Sequence, residues 1–366
     1  MKQDLARVAI ELAVKRGIED IRTDHKRSIR RLVDLGNHFA NGRFHKYFFN
    51  LVQTMLEDED SAYYHLVSEI VNRVDAATIA TMGINIGYNS WTVGAKTIRA
   101  NEAELGFNIP WAISFFLDSA AGDSALSIEQ IESVLEQGKQ LGIYSYILFL
   151  EHESGDLEPL FSLFERQPDC AFALLHRRCA TARLPVEPVH NVIQLFPLDE
   201  GFSACAEALR EGGGLFGSYL SYGETEARHI LSGEWTRELE RADCHFAAAI
   251  SQLGCPQSVQ AAVQEHINAV RANQQHAVFV CDLFADMIFV DRVISQEPCC
   301  FGVGADGQTL ADVPNRLPGP YNVKQHKLLD ILSATMPKVT YQPETEDDEL
   351  PTAEYDARLG PADLNG

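Results

Sequence analysis

Apolar residues follow two different periods in the chain. Up to about residue 80 they recur every three or four positions, as in Leu5, Val8 and Leu12, which is typical of helices buried on one face. This period predicts an N-terminal helical extension over residues 1–80, made of roughly four helices. Residues 81–106 then form a connecting segment.

From residue 107, short apolar runs alternate with amphipathic stretches. The runs are strand-length and apolar throughout, which is typical of parallel strands covered by helices on both faces. We therefore predict an α/β fold over residues 107–296, either a partial or complete (β/α) barrel or a doubly wound sheet. No G-x-G-x-x-G turn follows the first strand, which argues against dinucleotide binding. The seven predicted strands are Ile109–Leu117, Ile143–Leu150, Cys170–Leu175, Asn191–Phe196, Leu215–Leu220, Cys244–Ser251 and Ala277–Cys281.

The last part of the chain has a different pattern. Residues 297–339 are predicted to form a cap, with a β-hairpin turned by Asp306-Gly307 and a short helix over Lys324–Ser333. Residues 340–366 contain prolines and many acidic residues and have few apolar residues to bury. They are predicted to be an acidic disordered tail.

Charge is distributed unevenly around a net value of −22. Residues 1–50 contain eleven Lys and Arg against six Asp and Glu, whereas residues 344–366 contain eight acids and one arginine. Because a chain this acidic repels phosphate backbones, we do not expect general nucleic-acid binding. Only the basic N-terminal extension is suited to an anionic partner.

Neither a membrane span nor a cysteine-based metal site is predicted. The longest apolar runs are far shorter than the ~20 residues of a spanning helix. The stretch after Met1 is polar and amphipathic rather than a signal peptide, so we expect a cytoplasmic protein. The eight cysteines include no C-x-x-C pair, and we expect buried free thiols in a reducing compartment.

Several segments resemble, in the same order, parts of the radical SAM protein family. The resemblance extends from about Asn108 to Thr335 and implies a (β/α) barrel with an N-terminal helical extension and a C-terminal hairpin-helix cap. The segments that carry it are Asn108–Ile113, Ser127–Ile131, Gln137–Tyr144, Pro168–Phe172, Gly302–Gly307 and His326–Leu332.

The chain departs from this family at the cofactor site. Radical SAM enzymes hold a [4Fe-4S] cluster on C-x3-C-x2-C after the first strand, but residues Asp118–Leu126 contain no cysteine. The family's Gly-Gly-Glu-Pro-like turn is replaced by Glu151–Asp156, and the end of the third strand is Leu175–Arg178. The resemblance therefore implies a degenerate member. We expect the chain to bind neither the cluster nor S-adenosylmethionine, and therefore to catalyse no radical chemistry.

Polar residues at the predicted strand ends are candidates for a site, because ligands bind there in (β/α) barrels. Glu151 and Glu153 share one side of their strand, with His152 on the other. Together with His176 from the next strand, the two carboxylates are predicted to hold a divalent metal or to act as an acid/base pair. The alternative is a solvated loop.

Further candidates would contact a ligand. Arg177 is suited to a carboxylate or phosphate, although a surface salt bridge is the alternative interpretation. The remaining predicted ligand-binding residues are Asp118, Tyr219, Tyr222, Glu224 and Asp282.

Three functional hypotheses follow. The first is an accessory or ligand- or partner-binding pseudoenzyme without a cofactor, acting beside an active enzyme of a biosynthetic or modification pathway. The second is a repurposed metal-dependent or acid/base barrel enzyme that uses Glu151, Glu153 and His176. The third is an interaction module whose basic N-terminal helices bind a protein partner.

Overall fold

The chain forms two units, which the computed structural model describes over residues 5–39, 52–152, 157–179, 184–185, 187–295 and 297–339. The first unit contains the described residues up to 76 together with 218–285. The second contains residues 77–217 and those from 286 to 339. The acidic tail predicted at 340–366 lies outside the described residues.

Helices and strands alternate through most of the described chain. The helices are α1 Leu5–Ile21, α2 His25–Phe39, α3 Ala62–Arg73, α4 Ala76–Gly83, a π-helix Ile84–Gly94, α5 Ala95–Leu105, a 3-10 helix Ser119–Ser124, α6 Ile128–Leu141, α7 Glu158–Arg166, α8 Phe202–Glu211, α9 Glu224–Leu231, α10 Glu234–Arg241, α11 Gln257–Asn273, α12 Leu283–Ser295 and α13 Leu328–Thr335. The strands are β1 Ala112–Asp118, β2 Ser145–His152, β3 Ala171–Leu175, β4 Val192–Phe196, β5 Leu215–Tyr222, β6 Phe246–Ser251, β7 Phe279–Asp282, β8 Phe301–Val303, β9 Gln308–Asp312 and β10 Leu317–Asn322.

Most strand pairs are parallel, so the protein has an α/β fold. In the second unit the strand order is β10-β9-β8-β1-β2-β3-β4, followed by the first residues of β5. Strands β8 and β1 to β4 are parallel to one another, whereas β9 and β10 form antiparallel ladders. In the first unit, the end of β5 is followed by β6 and β7, and β6 and β7 are parallel.

The two faces of the sheet in the second unit have different neighbours. On one face, the Phe172 ring of β3 stacks on Phe164 of α7 at 4.2 Å, and the Tyr146 hydroxyl of β2 donates to a carbonyl of α6. On the opposite face, Phe116 of β1 stacks on Phe149 of β2 at 4.5 Å. Alternation along these strands therefore determines which polar residues at the strand ends share a face.

The π-helix is tied to the beginning of β3 by two buried amides. The Asn85 Nδ2 donates to the carbonyls of Pro168 and Cys170 at 2.8 and 2.7 Å, and Asn89 Nδ2 donates to that of Asp169 at 3.0 Å. The Cys170 contact is buried, and a buried carbonyl left without a partner costs about 1–3 kcal/mol. Residues 81–106, predicted as a connecting segment, are therefore mostly helical and part of the core.

In the first unit, the N-terminal helices are joined by side chains that bridge distant segments. The Arg30 guanidinium of α2 donates to the Tyr64 hydroxyl of α3 at 2.7 Å and forms an ion pair with Glu59. Ser61, which caps α3, donates to the side chain of Gln274 beyond α11. The predicted helical extension is thus combined with later elements in one unit.

All seven predicted strands of residues 107–296 are confirmed as β1 to β7. The sequence did not predict α12 or the strand β10, whose Pro318 and Pro320 are unusual within a strand and are tolerated at an edge. Between β5 and β6 the chain forms two helices, α9 and α10, which are separated at Gly233, where the backbone takes a left-handed conformation with φ of 70°.

A close contact between two glycines generates a test of this packing. Gly142 ends α6 with φ of +100°, and a Cβ there would lie 2.6 Å from the Gly94 carbonyl oxygen at the end of the π-helix. We expect Gly142→Ala to lower the free energy of unfolding by at least about 3 kcal/mol, because backbone strain and overpacking add. Chemical denaturation measures this change.

The matched control is Gly106→Ala. Gly106 ends α5 with φ of +79°, but a Cβ there would meet no atom within 4 Å. The free energy of unfolding of this variant should fall by only about 1–2 kcal/mol, the cost of a left-handed backbone conformation in alanine. Equal losses in the two variants would show that the Gly94–Gly142 contact does not constrain the fold.

Candidate functional site

A register shift brings two candidate residues together at the ends of β1 and β2. The ladder is regular up to Leu117, and then a bulge pairs Asp118 with His152. The Asp118 Oδ1 lies 2.9 Å from His152 Nδ1. Bulges often re-aim a side chain beside a functional site. Since both side chains are partly exposed, the pair adds little stability, and its effect is mainly to orient the imidazole.

Arg177, which follows β3, extends this pair. Its Nη1 donates to the backbone carbonyl of Glu151 at 2.7 Å and lies 3.3 Å from His152 Nε2. A guanidinium only donates and a carboxylate only accepts hydrogen bonds. In this geometry Nδ1–H of His152 faces Asp118, and the lone pair of Nε2 faces Arg177. The imidazole side chain is 53% exposed.

Glu151 is paired with an arginine that the sequence analysis did not identify. The Arg316 Nη1, from the turn between β9 and β10, lies 2.5 Å from Glu151 Oε1, and its guanidinium lies 4.5 Å from the centre of the Phe116 ring. Arg316 has φ of 52°, a left-handed conformation that costs about 1–2 kcal/mol in a non-glycine residue. Such strained residues cluster at functional sites, but no spacing in the sequence marks this one.

The structure separates His176 from Glu151, unlike the predicted arrangement. Phe149 pairs with Leu175, so Glu151 and His176 follow on opposite faces of the sheet. His176 is fully buried, its ring stacks on Phe196 at 4.4 Å, and its Nε2 lies 3.0 Å from Gln194 Oε1. Strand alternation therefore places this imidazole in the packing between sheet and helices.

The predicted metal-binding set is not assembled in the part of the chain that the structure describes. Glu153 lies outside the described residues, Glu151 is paired with Arg316, and His176 is on the other face. Within the described ranges, no group of three His, Cys, Asp or Glu side chains is arranged to hold a metal ion.

The other predicted ligand-binding residues belong to the first unit. The Tyr222 hydroxyl donates to Asp282 Oδ2 at 3.0 Å, and both side chains are buried. Burial and the nearby Asp282 carboxylate raise the pKa of Tyr222. Asp282 Oδ1 also accepts from the Ala285 backbone at the start of α12. Tyr219 is half-buried and Glu224 is exposed, and their predicted contact with a ligand stays a prediction.

The cysteines do not fit an iron–sulfur cluster of the radical SAM type. All eight are free, six are buried, and none lies in the segment after β1 where the family holds its cluster. The cluster's three-cysteine set therefore has no counterpart at the ends of β1 to β3.

A separate polar cluster surrounds Asp291 in the second unit. Its carboxylate accepts from the backbone nitrogens of Cys299 at 3.1 Å and Trp111 at 3.4 Å, and from the Cys300 thiol. Burial raises the pKa of Asp291 to about 7, although these hydrogen bonds act in the opposite direction. The cluster joins the segments that precede β1 and β8.

Comparisons with known proteins add little to this description. No protein-family model matches the chain, and no curated protein matches its sequence. Among solved structures, it is similar to a mutant of the tryptophan synthase alpha-subunit from the hyperthermophile Pyrococcus furiosus. The identity is 10% and the TM-score 0.35, over 63% of this chain and 97% of that chain. No residue role is transferred from it.

The described helices also bear on membrane association. None of them is both long and apolar enough to cross a bilayer.

Asp291 gives a pH-dependent prediction. The folded chain binds this proton more tightly than the unfolded chain, so its contribution to stability falls as pH rises from about 4 to about 7. The slope approaches 1.4 kcal/mol per pH unit. Relative to wild type, we therefore expect Asp291→Asn to become progressively more stable over this interval. Denaturant titrations at several pH values measure the difference.

Asp123→Asn is the control for this experiment, because Asp123 is an exposed carboxylate of the same unit. Its stability difference from wild type should stay constant with pH. A constant difference for Asp291→Asn as well would contradict the account of a buried, protonated Asp291.

Proposed function

We propose that this chain is a radical-SAM-like barrel protein that has lost the cluster. In this proposal it acts as an accessory or ligand- or partner-binding pseudoenzyme in a biosynthetic or modification pathway. The assignment to a radical-SAM-like barrel rests on the order of the sequence segments from Asn108 to Thr335. The α/β fold, in which β8 and β1 to β4 are parallel, is compatible with it.

One observation carries the proposal. Where the family requires three thiolates after its first strand, the ends of β1, β2 and β3 are joined by Asp118, His152 and Arg177. These groups present oxygen and nitrogen atoms that bind one another. They have the hydrogen-bonding capacity to orient a polar ligand at the strand ends, where barrel proteins bind ligands.

Anaerobic reconstitution with iron and sulfide tests the loss of the cluster. We expect no more protein-bound iron in the wild-type chain than in the Cys299→Ser/Cys300→Ser variant, which removes the two adjacent thiols. We also expect no 5′-deoxyadenosine from S-adenosylmethionine under reducing conditions. Near-stoichiometric binding of about four irons, or formation of 5′-deoxyadenosine, would contradict the proposal.

A second candidate function is that of an acid/base enzyme at the same strand ends. The Asp118–His152 geometry favours it, because a carboxylate on Nδ1 orients the imidazole so that Nε2 can accept a proton once a substrate draws Arg177 away from it. In this proposal His152 and Asp118 replace the predicted Glu153 and His176. Arg177 beside Nε2 would orient an anionic group of that substrate.

The tautomer of His152 tests this second candidate. Nitrogen NMR of the imidazole should show the proton on Nδ1 and an unprotonated Nε2 in the wild-type chain. Asp118→Ala should increase the form protonated on Nε2, because the acceptor for Nδ1–H is lost. The His176 signals, with Nε2 facing Gln194, should not change. A wild-type His152 protonated on Nε2 would exclude it as the proton acceptor.

A further inference from the structure

A groove runs between α1 and α2 in the first unit, with a volume of about 320 Å³. The helices approach closely where Gly17 faces Leu32, since a Cβ on Gly17 would lie 2.8 Å from a Leu32 methyl. The groove is lined by Leu12, Ala13, Arg16, Gly17, Asp20, Ser28, Arg31 and Leu32.

The groove combines an exposed apolar side chain with two arginines. Leu12 is 65% exposed, which makes it one of the most exposed large apolar residues in the described chain. Arg16 and Arg31 are exposed, and within the described ranges neither has a hydrogen bond, ion pair or ring contact. By contrast, Arg30, which precedes Arg31 on α2, is paired with Glu59.

These features suit the binding of an acidic peptide segment that also carries apolar side chains. A guanidinium binds carboxylates in a bidentate geometry, and an exposed leucine gains about 25 cal/mol for each Å² that a partner covers. Asp20 in the lining repels negative charge at one place, so carboxylates would be held at the two arginines rather than along the whole groove. A peptide that combines acidic residues with leucines fits this distribution.

Residues 344–366 of the same chain have this composition. They contain eight acids against one arginine, together with Leu350, Leu359 and Leu364. The described chain ends at Val339, so the acids of this segment lie from 5 residues (Glu344) to 24 residues (Asp363) further along the chain. These connections span up to roughly 17 to 80 Å.

Tethering favours this segment over an external acidic partner. The whole chain has a net charge of −22, which repels a free polyanion before it reaches the basic helices. A tethered segment has an effective concentration on the order of 1 mM and does not depend on encounter.

We propose that the groove between α1 and α2 binds the acidic segment 344–366 of the same chain. Carboxylates of the segment pair with Arg16 and Arg31, and a leucine of the segment covers Leu12. An acidic protein partner of the N-terminal helices must then displace it. This proposal is independent of the function at the ends of β1 to β3.

Carbodiimide cross-linking of the full chain tests the proposal. In the Arg16→Lys/Arg31→Lys variant the charges are kept and two amines enter the groove. The reagent activates a carboxylate, which then forms an amide with a neighbouring amine and releases the urea. Mass spectrometry should identify amides between positions 16 or 31 and acids of 344–366. Raising the salt to about 0.5 M should reduce them several-fold.

Arg237→Lys is the matched control, because Arg237 is an exposed arginine on α10 of the same unit. Its amine should give far fewer links to residues 344–366. If the yield of cross-links from positions 16 and 31 to residues 344–366 does not exceed the yield from position 237, the proposal is overturned.

Mixing isotope-labelled and unlabelled chains separates binding within one chain from binding between copies. At about 10 μM protein, an effective concentration of about 1 mM predicts that links within a chain exceed mixed links about a hundredfold. Mixed links as frequent as unmixed ones would assign the groove to a second copy and contradict the proposal. Circular dichroism verifies that the variants remain folded.

Discussion

The candidate site depends on a single departure from regular pairing, the bulge between Leu117 and Asp118. Without it, strict alternation in the β1–β2 ladder would place Asp118 opposite Glu151, and the two carboxylates would repel. With it, Asp118 meets His152 at 2.9 Å, and Glu151 is paired with Arg316 instead. The bulge thereby converts two neighbouring acids into two separate hydrogen-bonded pairs.

The surrounding packing keeps this arrangement in place. The guanidinium of Arg316 lies over the Phe116 ring, which stacks on Phe149. On the opposite face, the buried His176, at the end of β3, packs on Phe196. Exposed ion pairs contribute about 0–1 kcal/mol each, so the sheet, rather than the charges, determines the geometry. The polar groups at the strand ends are consequently available for a ligand without a large cost to the fold.

Much of the fold could be predicted from the sequence, because buried parallel strands produce continuous apolar runs. Ile143–Leu150 is such a run, and it matches β2 closely. The strand β10 could not be predicted, since Pro318 and Pro320 are signals against a strand. Helix α12 was missed because it is apolar around most of its surface and directly follows β7.

The site was predictable only in part. Its location at the strand ends follows from the parallel fold, and Asp118 and Arg177 were identified as candidates. Which imidazole joins them depends on the register between the strands, and the sequence does not reveal that register. His152 contacts Asp118, whereas His176 contacts Gln194 on the other face. Arg316 is distant in sequence and enters through a turn, so no local pattern connects it with Glu151.

Calorimetric titration with S-adenosylmethionine tests the central proposal most directly, because it measures the ligand that defines the resembled family without requiring turnover. If Asp118, His152 and Arg177 have replaced the cofactor-binding turns, no saturable heat should be observed with the full chain. Saturable binding that is lost in both Asp118→Asn and Arg177→Gln would show that the strand ends still bind this cofactor. That result would contradict the account.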